Sequence, residues 1–349
     1  MAALQPPPPE HTAFPEHTVS IVIPVYQGER TLALLIEEIE PLTRAQRSPE
    51  GHPFRVTEVV LVNDCGPDDS ARVMRQLEAS HPFVRTVWLS RNFGQHPATL
   101  AGVASSGGDW IVTLDEDGQH DPADVPRLLD TAIDEQVAVV YARPTNPPPH
   151  GAVRNTASRL AKFALAQLSG TRTTHFNSFR LMLGSTGRSV AAYAGSGVYF
   201  DVAVGWLSAS VATTDVLLRE GSTRRSGYSI PGLFSHFWRM ILSSGTRALR
   251  AVSVLGAGFA LVGTIVAIVL LVGRVVSNAV PEGWTSTIVV LLFGIGAILI
   301  SLGIIAEYVG VSVNMAMGKP PYLITGDPLN GPLGRISATS LREANRGGG

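Results

Sequence analysis

A single cysteine, Cys65, is all that the 349 residues contain. An intramolecular disulfide is therefore excluded, which fits a reducing compartment without requiring one. Surplus charge is missing too. Lys and Arg number 27 against 28 Asp and Glu, a net charge of −1, so there is no general electrostatic case for nucleic acid. The opening stretch MAALQPPPPEHTAFPEHT has no basic-then-apolar signal pattern. It is proline-rich and reads as a disordered lead-in over residues 1–18, not as a targeting segment. The last absence is local: Val254–Val272 and Thr285–Ala306 hold no charged residue.

Those two runs carry the excess behind a hydrophobic content of 45% and a mean hydropathy of +0.20. At roughly 19 and 22 residues, each is long enough to cross a hydrocarbon core of about 30 Å. Gly256, Gly258, Gly263, Gly294, Gly296 and Gly303 suit close helix packing in lipid. The connection Gly273–Trp284 is short, which predicts a transmembrane hairpin within residues 251–309. Arg239, Arg247 and Arg250 precede it and Lys319 follows, while the connection carries only Arg274, beside Glu282. The positive-inside rule then puts both flanks in the cytoplasm. No mid-span charge marks a transport path. Residues 230–250 place Leu233, Phe234, Phe237, Trp238, Ile241 and Leu242 among arginines, the pattern of an interfacial amphipathic helix, with an ordinary core helix as the alternative. Residues 310–349 are expected to form a cytoplasmic tail, Gly-rich and disordered beyond Gly326.

Upstream, short apolar runs alternate with helical periodicity. Strands are predicted at Val19–Ile23, Val59–Val62, Val84–Leu89, Trp110–Leu114 and Val137–Tyr141. Helical faces follow: Leu32, Leu35, Ile36 and Ile39; Val73, Met74 and Leu77; Pro97–Ala104; and Val125, Leu128, Leu129, Ala132 and Ile133. This alternation predicts an α/β domain over residues 19–229 with a mostly parallel sheet covered on both faces. Loops after parallel strands share one sheet edge, so Asp64, Arg91 and Asp115 are candidates to converge.

The central stretch is WIVTLDEDGQHDPAD, residues 110–124. Asp115, Glu116 and Asp117 would repel one another unless a cation or solvent relieves them. Asp115 and Asp117 are hard oxygen donors suited to Mg²⁺ or Mn²⁺ on a diphosphate. A solvated acidic turn capping the next helix through Asp121 or Asp124 explains the same residues, and spacing alone does not separate the two. Arg143 at a strand end, and Arg154, Ser158, Arg159 and Lys162 on the amphipathic run Arg154–Leu168, suit either an anion or membrane-surface site or a solvated face. Arg219, Arg224 and Arg225 lie in a Gly/Ser-rich stretch that fits a phosphate-covering loop or a flexible linker.

Taken in order, IVIPVYQGE (21–29), VNDCGPDDS (62–70), LSRNFGQHPATLAG (89–102), GDWIVTLDEDGQHDP (108–122), NSFRL (177–181), SGYS (226–229), EYVG (307–310) and GKPPYLI (318–324) resemble the membrane-bound polyprenyl-phosphate glycosyltransferases of glycosyltransferase family 2. This group includes dolichyl-phosphate mannose synthase and the undecaprenyl-phosphate sugar transferases. The resemblance covers about Ser20–Ile324 and implies a GT-A (Rossmann-like) domain, interfacial helices and the hairpin. It also implies a reaction: inverting, metal-dependent transfer of one hexose from a UDP- or GDP-sugar to polyprenyl (undecaprenyl or decaprenyl) phosphate, for envelope glycan modification or protein glycosylation. By the same resemblance, Pro24, Tyr26, Glu29, Asp64 and Arg91 would hold the nucleotide. Asp115, Asp117 and Gln119 would hold the metal, Arg224 would cover the diphosphate, and Arg143, Arg154 and Ser158 would receive the lipid phosphate. A homo-oligomer is expected by analogy with relatives.

Two departures from the family pattern stand out. Some relatives read Gly-Asp-Phe-Arg-Leu where this chain has Asn177-Ser178-Phe179-Arg180-Leu181, so the acid proposed there as a base is Ser178 here. An acid could come from elsewhere, such as Asp201. The stretch before Ser226 also lacks the usual Arg-x-x-Gly-x-Ser spacing. Two rival readings are weighed. A processive polysaccharide synthase would carry Gln-x-x-Arg-Trp, and Ser235–Arg239 does not match it. A decayed nucleotide-sugar-binding subunit is opposed by intact Asp115, Asp117 and Arg91.

Overall fold

The computed structural model describes residues 16–146, 177–195, 198, 200–207, 211–219, scattered positions within 252–272, and 283–330. The chain begins with β1 (His17–Val25), α1 (Leu32–Ile39), the two-residue β2 (Gln46–Arg47), β3 (Pro53–Asn63) and α2 (Ser70–Ser80). It continues through β4 (Val84–Leu89), α3 (Gln95–Ser105), β5 (Trp110–Thr113), α4 (Val125–Asp134) and β6 (Val139–Pro144). Then come β7 (Arg180–Leu183), α5 (Gly184–Tyr193), α6 (Phe200–Leu207), β8 (Val211–Val216), α7 (Trp284–Ala316) and β9 (Ile324–Thr325).

The sheet runs β8-β6-β7-β5-β1-β3-β4-β9, with β2 pairing β3. β1 is its spine, parallel to β3 on one side and β5 on the other. Val19 to Ile23 are all buried, as expected for a strand covered on both faces. Alternation sorts its side chains: Ile21 and Ile23 enter one core with α1, α2 and α4, while Val22 enters the other with α3, α5 and α6. Each helix contributes the stripe expected of it, such as Leu32, Leu35, Ile36 and Ile39 on α1.

Several elements depart from the sequence expectation. NSFRL leads into a strand, β7, which begins at Arg180 and is inserted antiparallel between β5 and β6. Four residues, the first of them an arginine, leave too short a period to read locally; pairing on both sides creates the strand. β3 starts at Pro53 because its first residues pair with β2 and with the start of β1. β6 runs to Pro144 because β8 pairs with it that far.

α7 is one helix of 33 residues, ending ten residues beyond the apolar run that ends at Ala306. Glu307–Met315 holds no proline and only one glycine, Gly310, and Gly318, at φ +64°, supplies the left-handed stop. Its segment Phe293–Ala316 is long and apolar enough to cross a membrane, and none of its most apolar stretch is buried by protein. In the first predicted span, the described positions Gly256–Phe259 and Leu261–Ile265 are helical and exposed, and the rest of it is not fully among the described residues. Disorder beyond Gly326 does not hold for Asp327, which makes a two-pronged ion pair with Arg75 at 2.7 Å per contact. Burial of that pair against the domain orders the backbone around it.

Candidate active site

β5, β1, β3 and β4 are neighbours, and the pairs between them are parallel, so the loops after them emerge side by side. The loops after β1 and β3 interlock. Gly28 N–H donates to Ser70 Oγ at 2.8 Å, Glu29 N–H to Asp68 Oδ2 at 3.1 Å, and Asp69 N–H to Glu29 Oε2 at 3.3 Å. A Cβ on Gly66 would lie 1.4 Å from the Tyr26 carbonyl oxygen, so only glycine lets the two backbones touch there.

Asp64, at the end of β3, is 3% exposed. Its two oxygens accept the N–H groups of Phe93 (2.7 Å) and Gly94 (2.9 Å), pinning the loop after β4. Gly94 sits at φ +96°, a backbone that favours glycine, and caps α3. Burial pushes the Asp64 carboxyl above its usual range, opposed by those two donors and by Arg91. The Arg91 guanidinium stacks 4.0 Å from the centre of the Phe93 ring.

β5 ends beside all of this. Asp115 accepts from Gln95 Nε2 at 2.6 Å and from Ser178 Oγ at 2.5 Å. Burial raises its carboxyl pKa; His120, the Ser178 hydroxyl and Arg180 oppose the rise, and Asp117 adds to it. Asp117 Oδ1 accepts the Gln119 N–H at 3.1 Å. Glu116 turns the other way and accepts the N–H groups of Tyr26 (2.9 Å) and Gln27 (2.9 and 3.1 Å). The repulsion expected among three carboxylates is thus partly relieved without a cation: one of them is a brace for the loop after β1. Glu116→Ala leaves two backbone donors without their charged acceptor, and the expected cost is roughly 1–3 kcal/mol in urea unfolding.

A cavity of about 220 Å³ opens beside Asp115, lined also by Gln95, Thr99, Asn177, Ser178, Arg180 and Asp201. Its floor is a buried ion pair between Arg180 and Asp201, with Tyr141 Oη donating to Asp201 at 2.9 Å and the guanidinium 4.2 Å from the Phe200 ring centre. Burial pushes the Tyr141 phenol up to about 12, against the pull of Arg180. His120 is buried against Phe179, and its Nδ1 has no hydrogen-bond partner among the described residues.

Among the described residues, no three His, Cys, Asp or Glu side chains gather in a metal cage. The donor set still fits a hard divalent cation. Asp115 and Asp117 are two carboxylates at one strand end, Asp117 Oδ2 has no protein partner among the described residues, and the half-buried Asp115 would gain from a positive neighbour. Mg²⁺ in particular is commonly held by one or two carboxylates, with substrate phosphates completing the shell.

Residues 20–190 match the family described as Glycosyl transferase family 2. An undecaprenyl-phosphate 4-deoxy-4-formamido-L-arabinose transferase from Pseudomonas paraeruginosa is 30% identical over 321 residues, covering 89% of this chain and 90% of that protein. The chain belongs to glycosyl transferase family 2. The enzyme of the same name from Photorhabdus laumondii is 29% identical over 88% of this chain and 93% of that protein. Among solved structures, glucosyl-3-phosphoglycerate synthase from Mycobacterium tuberculosis, in complex with Mn²⁺, UDP-glucose and phosphoglyceric acid, is 19% identical with a TM-score of 0.46, covering 66% of this chain and 79% of that one. The mostly parallel α/β sheet is that of a GT-A-like domain.

The remaining residues of interest in this family 2 glycosyltransferase are distributed as follows. Pro24 is the penultimate residue of β1, and Tyr26 just beyond the strand is 41% exposed. Arg143 forms an exposed two-pronged pair with Asp215 on β8, at 2.5 and 2.9 Å. Arg219 bridges Glu38 and Asp121, each at 2.7 Å, and its N–H donates to the Gln119 carbonyl. It is therefore a brace across the turn after β5. Arg154, Ser158, Arg224, Arg225 and the helix at 230–250 lie outside the described residues. Asp201 is matched to Arg180 rather than standing as an isolated acid. Residue-by-residue reading missed the bracing role of Glu116 and the grouping of Tyr141 and Arg180 with Asp201. Gln95 was signalled by the SRNFGQ motif; Glu116 had no local signal, because its partners are some 90 positions away.

Proposed function

We propose that the protein transfers one sugar from a UDP- or GDP-linked donor to a polyprenyl (undecaprenyl or decaprenyl) phosphate at the cytoplasmic membrane face, with inversion and with Mg²⁺ or Mn²⁺. The observation that carries this reading is the pair Asp115 and Asp117 at the end of β5, beside a polar cavity and the interlocked loops of β1, β3 and β4. The named function of the undecaprenyl-phosphate relatives supports the acceptor class.

In this reading Pro24, Tyr26, Glu29, Asp64 and Arg91 hold the nucleotide, and Asp115, Asp117 and Gln119 hold the cation. A bound cation neutralises charge on the departing nucleoside diphosphate. Arg224 covers that diphosphate. Arg143, Arg154 and Ser158 take the lipid phosphate, Arg143 exchanging its solvent-screened partner Asp215 for it. A phosphate oxygen of the acceptor attacks the anomeric carbon, and the bond from that carbon to the diphosphate breaks. The nucleophile is already anionic, so no strong base is needed. That agrees with Ser178, which donates to Asp115 rather than accepting a proton. Residues 19–229 are the cytoplasmic catalytic domain, 230–250 the interfacial helix, and 254–272 and 285–306 a two-span hairpin. Glycine-rich spans fit a homo-oligomer.

The test uses full-length protein in detergent with Mn²⁺ or Mg²⁺, undecaprenyl phosphate and a panel of UDP- and GDP-sugars, read by mass spectrometry. One phosphosugar lipid, lost in Asp117→Asn, is the expected result. Long sugar polymers would instead identify a synthase, and nucleotide binding without turnover a binding subunit.

A further inference from the structure

We propose that Tyr322–Asp327, the segment after the long apolar helix α7, is a positioning strap for the donor site. It holds the end of β4, and with it the Arg91 loop, through β9 and a clamp between Arg75 and Asp327. The proposal rests on the reading that this loop contacts the nucleotide.

β9 pairs antiparallel with the last two residues of β4, Trp88 opposite Thr325 and Leu89 opposite Ile324. The next contact reaches the loop itself: Ser90 N–H donates to the Leu323 carbonyl at 3.0 Å, immediately before Arg91. The far end of the same loop is held by Asp64 at Phe93 and Gly94. Arg91 and Asn92 are thus suspended between two anchors, one from the catalytic sheet and one from the chain beyond α7. Without β9, the end of β4 would be an open sheet edge.

The clamp fixes the strap. Arg75 on α2 donates twice to Asp327 at 2.7 Å, and the Asp327 side chain is only 9% exposed. The same guanidinium lies 4.5 Å from the Trp88 ring centre, so one side chain grips both β9's neighbour and the strap. Tyr322 packs against the apolar cluster that holds Leu89 and is also touched by Phe93. Seven residues, Met317–Leu323, separate α7 from β9. At about 3.5 Å per residue the tether reaches no more than roughly 25 Å, so α7 and the donor loop are mechanically linked.

Asp327 and Arg75 are positioning residues: they touch neither substrate, yet they set the geometry of a loop that does. The test compares full-length wild type with Asp327→Asn, Arg75→Gln and the charge-swapped double variant Arg75→Asp/Asp327→Arg. UDP and GDP affinity is measured by calorimetry, and donor and acceptor KM and kcat by the lipid assay. Each single variant is expected to raise donor KM and nucleotide Kd by about tenfold, with kcat and acceptor KM within about twofold, the signature of lost donor binding alone. The double variant is expected to recover most of the nucleotide affinity, while kcat unchanged in the singles separates a positioning role from loss of folded enzyme. Unchanged nucleotide affinity in both single variants overturns the proposal, as does a fall in kcat with donor KM unmoved, or a double variant no better than the singles. Nucleotide binding without turnover in the wild type would sink the proposed reaction, while the calorimetric comparison would still decide the strap.

Discussion

Asp115→Asn is expected to lower turnover by about 100-fold or more while raising the melting temperature of the metal-free protein. The two effects have one cause. Asp115 sits where burial disfavours its charge, and Asp117 worsens this; the hydrogen bonds from Gln95 and Ser178 do not cancel it. A carboxyl whose folded-state pKa is raised above its unfolded value costs stability wherever it is ionised. That cost is fully present at neutral pH, shrinks as pH falls through the raised pKa, and is gone below the ordinary aspartate range. In EDTA, the wild type should therefore gain stability over that window relative to the variant, and the two melting curves should converge toward its acid end. An amide at position 115 keeps one acceptor and adds a donor without the charge. As a neutral ligand it holds a divalent cation less strongly than a carboxylate does. Thermal scans with and without EDTA, beside the lipid assay, check both halves. A variant less stable than wild type at neutral pH would show that the two hydrogen bonds outweigh desolvation.

Gly66→Ala is the second large effect, through shape rather than charge. The new methyl would sit 1.4 Å from the Tyr26 carbonyl oxygen, a distance that no rotamer can relieve because both atoms belong to or adjoin backbone. The loops after β1 and β3 must separate, and the bonds from Gly28 to Ser70 and from Glu29 to Asp68 stretch with them. A displacement of about 1 Å at a substrate-positioning loop can cost about 100-fold in rate, so kcat/KM should fall by at least that. The buried strands lie below these loops, so far-UV circular dichroism should remain close to wild type. Nucleotide affinity near the wild-type value would mean that the loops can part freely and that their contact does not shape the site.

Much of this molecule was legible in one dimension. Buried parallel strands declare themselves as short apolar runs, and helices as stripes, because both patterns are set by neighbours within a few residues. Val19–Ile23, the face Leu32–Ile39 and the acidic end of β5 could all be read that way. The placement of Asp115-x-Asp117 and Ser90–Gln95 just beyond strand ends was equally visible, as was the apolar run that became part of α7. The tertiary structure alone decided which carboxylate does what. Glu116 looks like its two neighbours in sequence, but the backbone donors of Tyr26 and Gln27 lie within its reach and not within theirs. It also decided that a strand begins at Arg180, that Arg219 is a brace, and that Asp327 is tied to the sheet domain through Arg75, 252 positions earlier. The division has a physical reason. Backbone geometry and hydrophobic burial repeat along the chain and leave a periodic trace. A single ion pair or backbone contact between distant segments has no period, and it exists only once the sheet has brought its partners together.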